Sequence, residues 1–203
     1  IGRFLEGLVG SPRDMVLYGE WLDLIDGIPM VRRRDAHTLN WLVDSGGRIL
    51  AIDLESFGAR PLGYELAQMT DDYPIFDPED LSSRRRILEH YVERLARYGR
   101  DEDVETAWRG YLAGLAARAV SVLTDPNSSE KVRMHGSRVL EALTNRSGEQ
   151  PVAAWAKQVR DAWNRKVGLV ASEGQLQPIS EGDRKRISRA MSFHLRHNPD
   201  APS

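Results

Sequence analysis

The 203-residue chain has no cysteine, which rules out disulfides and thiolate metal centres and fits a reducing, cytoplasmic setting. No apolar run approaches the ~20 residues that a membrane-spanning helix requires, so no membrane partner is expected. The visible start has no secretory signal pattern. Neither sign of charge is in excess: 28 Lys and Arg stand against 30 Asp and Glu, so bulk electrostatics select no particular partner. What remains is the composition of a soluble globular protein, 41% hydrophobic and 29% charged, long enough for one good-sized domain and part of another. The chain starts at Ile1 and stops at Ser203 inside an incomplete motif, and it reads as a fragment of a longer protein.

The most informative stretch runs from Arg33 to Ala67. Residues 41–44 (WLVD) and 48–52 (RILAI) are short apolar runs separated by Ser45-Gly46-Gly47, the pattern of a tight β-hairpin. Asp35 and Asn40 precede the first arm, and Asp53 follows the second. In an antiparallel pair, opposed residues have Cα atoms ~4.5–5.5 Å apart. Asn40 and Asp53 are therefore expected as cross-strand neighbours, an amide and a carboxylate able to share a hard cation such as Mg²⁺. Asp35 lies one loop away, free to face a substrate.

The segments RRDAHTLN and IDLESFGARPLGYELA resemble the catalytic core of the aminoglycoside/choline phosphotransferase branch of the protein-kinase-like fold. That family typically reads HGDxHxxN, an apolar hairpin, then IDxEDAGxGDPxYDLA. The resemblance implies that Asp35 orients the acceptor hydroxyl or takes its proton, and that Asn40 and Asp53 hold Mg²⁺ on the phosphates of ATP. It also implies supporting roles for Arg33, His37 and Glu65. Arg33 stands where the family usually has His, and Pro61 where it usually has the Asp of GDP.

Elsewhere the apolar spacing is helical. Helices are expected over Met15–Leu24, after the Ser11-Pro12 break, and over Leu62–Thr70 with Leu62, Leu66 and Met69 inward. Four more are expected in succession: Leu81–Tyr98, Val104–Leu123, Lys131–Thr144 and Val152–Val167. Asp80 is an expected N-cap, and Trp155 and Trp163 are expected to pack. Arg84-Arg85-Arg86 reads as a solvated face. Asp71, Asp72, Asp77 and Asp80 fall in a loop region, where they either meet a cationic acceptor or serve in solvation and capping.

Residues 168–182 (GLVASEGQLQPISEG) read as a linker. Beyond it, ISRAMSFHLRHNP over residues 187–199 resembles the opening helix of the tRNA 2′-phosphotransferase family, LSKxLSxxLRHxP. That family transfers an RNA 2′-phosphate to NAD⁺. The resemblance implies that Arg196 and His197 contact the RNA phosphate and NAD⁺, with Arg suited to phosphate by its planar fork.

The expected fold is α+β and mostly helical. Residues 1–167 form the large lobe of a kinase-like phosphotransferase, with its small lobe upstream, and residues 183–203 begin an RNA 2′-phosphotransferase domain. The expected activity is ATP- and Mg²⁺-dependent phosphoryl transfer to a hydroxyl acceptor, with NAD⁺ and RNA as ligands of the second domain. The alternative, motivated by Arg33 and Pro61, is a degenerate kinase-like module that binds or scaffolds for the RNA-repair domain.

Overall fold

A computed structural model describes residues 12–33, 41–46, 49–51, 58–71 and 76–166. Within them the chain is a mostly helical α+β fold. Helix α1 (Pro12–Leu24) leads into strand β1 (Met30–Arg33), then β2 (Trp41–Val43), β3 (Ile49–Ala51) and β4 (Gly58–Pro61). Five helices follow: α2 (Tyr64–Asp71), α3 (Leu81–Ala96), α4 (Val104–Thr124), α5 (Glu130–Arg146) and α6 (Gln150–Lys166). No described helix is long and apolar enough to cross a membrane.

Helix α4 is the axis of the body. A surface helix shows one apolar stripe, whereas a helix apolar all round must be enclosed. Between Ala107 and Leu123 nearly every residue of α4 is buried, including Trp108, Tyr111, Leu112, Leu115 and Val120. It contacts α1, α2, α3, α5, α6 and β4. Buried indoles make their N–H bonds within this core: Trp21 donates to the Ala113 carbonyl at 3.2 Å and Trp155 to the Leu17 carbonyl at 2.7 Å. Trp163 packs partly buried against the same cluster.

Helix starts follow local chemistry. Asp80, Asp103 and Ser129 each accept a hydrogen bond from the backbone N–H three residues on, satisfying a donor the helix cannot pair itself. The backbone N–H of Ser83 holds the Asp80 carboxyl down at about 2, helped by the Ser82 and Ser83 hydroxyls. Pro12 opens α1, where its missing N–H costs nothing.

Two of the expected faces differ in detail. In α2 the buried residues are Ala67, Thr70 and Asp71, while Leu66 and Met69 are half-buried. Leu62 is fully buried but precedes the helix. In α3 Leu81, Leu88 and Val92 are buried, yet Tyr98, the last residue of the expected helix, is exposed, because the helix ends at Ala96 and Tyr98 lies in the turn beyond it.

The strands form two separate antiparallel pairs. In one, β2 and β3 make the expected hairpin, with Trp41 opposite Ala51 and Val43 opposite Ile49. In the other, β1 pairs with β4, from Met30 opposite Pro61 to Arg33 opposite Gly58. This second ladder was not expected from the sequence pattern. Pro61 sits at its end, where lacking an N–H is tolerated, and the chain continues the contact with Leu62 N–H donating to the Pro29 carbonyl at 2.9 Å.

Candidate functional site

The two ladders are nested. Residues 34–40 leave β1 and enter β2, while residues 52–57 leave β3 and enter β4. Because Arg33 pairs with Gly58 and Trp41 with Ala51, both connections begin and end in the same two ladders. Asp35, His37 and Asn40 belong to the first connection and Asp53 to the second; all four lie outside the described residues, as do Arg196 and His197. In sequence, Asn40 immediately precedes Trp41 and Asp53 follows Ala51 by two residues. Among the supporting residues, Arg33 ends β1 and Glu65 is half-buried in the first turn of α2. Among the described residues no group of three or more His, Asp or Glu is arranged to hold a metal ion.

The outer ladder is seated on the helical body by missing side chains. A Cβ on Gly110 of α4 would lie 2.0 Å from the Leu62 carbonyl oxygen, and a Cβ on Gly63 would lie 2.2 Å from the Ala107 carbonyl oxygen. Both distances are far inside van der Waals contact with backbone atoms that cannot swing away. Gly63 also has φ +86°, a conformation that other L-residues adopt only with strain. These two glycines let the backbone leaving β4 press directly onto α4, which sets the height of the ladder carrying both connections.

Just past this contact lies a buried polar cluster that local reading missed. Asp71, at the end of α2, accepts hydrogen bonds at its Oδ1 from Arg84 Nη2 and shares a 2.9 Å bond with His135 Nε2. The Arg84–Asp71 distance is also 2.9 Å, and both side chains are almost completely enclosed. Thr70 Oγ1 and the Tyr111 hydroxyl lie 2.6 Å apart, and Arg84 Nη1 approaches both. Burial pushes the Tyr111 hydroxyl up against its own ionisation. For Arg84, burial disfavours the charge, but Tyr111 and Asp71 more than offset that and hold its pKa above the usual value. A charge is tolerated in such a place only when paired and hydrogen-bonded.

Two expectations are corrected here. Arg84 is a core residue rather than part of a solvated face, because three consecutive helical residues point in three directions ~100° apart and one must turn inward. Its neighbours Arg85 and Arg86 do reach surface partners, Glu89 and Glu105 for Arg85 and Ser83 for Arg86. Asp71 is likewise no loop acid awaiting a ligand. Asp77 is bonded to Arg138 at 3.2 Å, and Asp80 is the cap of α3, as expected. Asp72 lies outside the described residues.

Comparison of the chain with protein-family models, with curated proteins and with solved structures finds no match in any of the three.

Proposed function

We propose that this chain is the large lobe of an ATP- and Mg²⁺-dependent phosphotransferase of the kinase-like type, carried on one polypeptide with an RNA 2′-phosphotransferase domain. The observation that supports it is the nesting of the β2–β3 hairpin inside the β1–β4 ladder. Phosphoryl transfer needs little covalent help from the protein; it needs groups held in fixed relation to a nucleotide and an acceptor. Two connections anchored at both ends by the same ladders are suited to that. In this reading Asp35 orients the acceptor hydroxyl and takes its proton. Asn40 and Asp53 offer one amide and one carboxylate oxygen, the hard donors that Mg²⁺ takes. The bound ion would neutralise charge on the nucleotide phosphates. Glu65, at the start of α2, would brace the loop that carries Asp35. At the other end of the chain, Arg196 and His197 would contact RNA phosphate and NAD⁺ in the second domain.

Pro61 gives specific support to a second reading, a kinase-like module that binds without catalysis. The position is buried and paired with Met30, so it serves packing rather than supplying the carboxylate usual in the resembling family. ATP turnover by the full-length protein with Asp35→Ala as control separates the two. Phosphotransfer predicts Mg²⁺-dependent turnover that falls by about 10³-fold or more in Asp35→Ala; ATP binding without turnover in the wild type would favour the binding module.

A further inference from the structure

Most apolar side chains of α3 face the helical body: Leu81, Leu88 and Val92 belong to the core, and the half-buried Tyr91 and Leu95 pack against it. Ile87 departs from that pattern. It is half-buried one turn before Tyr91 on the same side of the helix, yet it stands outside the core cluster. So does Phe76, half-buried in the connection before α3. Together with Ser83, Arg86 and His90, these two side chains line a groove of ≈ 390 Å³. Counted from Ser83, the other three helical residues fall three, four and seven positions on, so a single face of α3 makes one wall. Phe76 makes the other.

The Phe76 wall is supported by the body. The Arg84 guanidinium lies over its ring, 5.7 Å from the centroid, and Arg84 is itself held in the buried pair with Asp71. A ring fixed in this way offers a preformed surface to a second flat apolar group. The rim adds one guanidinium. Arg86 is exposed and donates one described hydrogen bond, to Ser83 Oγ at 2.9 Å, so its planar fork keeps further N–H groups for an acceptor. Among the described residues no carboxylate lines the groove. Asp80 is near enough to sense the Arg86 charge, but its Oδ1 is taken up by the Ser82 hydroxyl and the Ser83 N–H. Glu89 is paired with Arg85, and Glu93 with Arg97. His90 turns its Nδ1 toward Glu93 at 3.6 Å. What remains is an apolar slot with one cation at its edge, of a volume within the ~300–1,000 Å³ common for small-molecule sites.

We propose that the groove binds a small aromatic carboxylate, its ring between Phe76 and Ile87 and its acid group on Arg86. Carboxylate and guanidinium form the stronger, charge-assisted kind of hydrogen bond, while the ring supplies the apolar contact. The site is independent of the phosphotransferase reading.

Titration calorimetry on the full-length protein tests this with indole-3-acetate, indole, tryptamine and acetate as probes. Indole-3-acetate should bind, indole roughly tenfold more weakly, and tryptamine and acetate not at all. Arg86→Gln should lower the affinity for indole-3-acetate roughly tenfold and leave that for indole unchanged. Phe76→Ala should weaken both by roughly tenfold. Arg94→Gln, at another exposed position of α3, should weaken neither, which separates the site from general surface charge. Because Arg86 is exposed, Arg86→Gln should leave the thermal midpoint in place and keep the test independent of folding. Absence of indole-3-acetate binding, indole bound as tightly as its acid, affinity unchanged in Phe76→Ala, or equal losses in Arg86→Gln and Arg94→Gln would each overturn the proposal.

Discussion

The helical body and the pair of small ladders are held together by different means. The body buries large side chains on every side of α4, and each fully buried Leu or Val there contributes on the order of 1.5–3 kcal/mol. The ladders comprise strands of three or four residues, too short for a hairpin to be stable alone in water. Their described contributions to the core are few, chiefly Val31 and the adjoining Ile28 and Leu62. The β1–β4 ladder therefore borrows its position from the body, through backbone contact at Gly63 and Gly110. Stability resides in one region and the candidate chemistry in the other, coupled across a glycine contact.

The body itself can be broken first, at its polar knot. Arg84→Ala leaves Asp71 buried with His135 as its remaining described partner, and should cost about 3–5 kcal/mol in urea unfolding. Replacing both partners, Arg84→Met with Asp71→Leu, should recover most of the loss, since an apolar pair needs no compensation for desolvation. If the single and double variants are equally destabilised, the cluster is not acting as a paired buried charge.

A somewhat smaller effect, about 1–3 kcal/mol, is expected from Gly110→Ala, which must push the Leu62 backbone away from α4. Here the comparison sharpens, because nucleotide affinity of the full-length protein should weaken in the same variant. Loss of stability with affinity untouched would mean that the ladders do not take their position from α4.

The smallest effect concerns the cap of α3. Asp80 has a folded pKa of about 2 against an ordinary 3.8, so the folded state prefers the carboxylate. Its contribution is fully present above the ordinary value and is lost as pH falls from there toward about 2. The urea midpoint of the wild type should fall more steeply across that window than that of Asp80→Asn; parallel slopes would discount the cap.

Much of the body was legible because its signals are local. Asp80 before Leu81 and the recurring apolar spacing bound α3 to α6 to within a few residues. The hairpin was legible from Ser45-Gly46-Gly47 between apolar arms. The β1–β4 ladder was not, since Met30–Arg33 and Gly58–Pro61 carry little alternation and their pairing is decided across the intervening connections. The interior role of Arg84 was hidden for a related reason. Nothing near it in sequence distinguishes it from Arg85 and Arg86, and its partners come from α2 and α4. Of the candidate site, the residue types were legible from the motif, and the described ladders add the anchoring of its two connections.

The most direct measurement is titration of the full-length protein with a non-hydrolysable ATP analogue, with and without Mg²⁺, in the wild type and in Asp53→Ala. The account predicts Mg²⁺-dependent binding in the wild type, lost in Asp53→Ala while the thermal midpoint stays in place. No binding by the wild type, or equal Mg²⁺-dependent binding in Asp53→Ala, would contradict it.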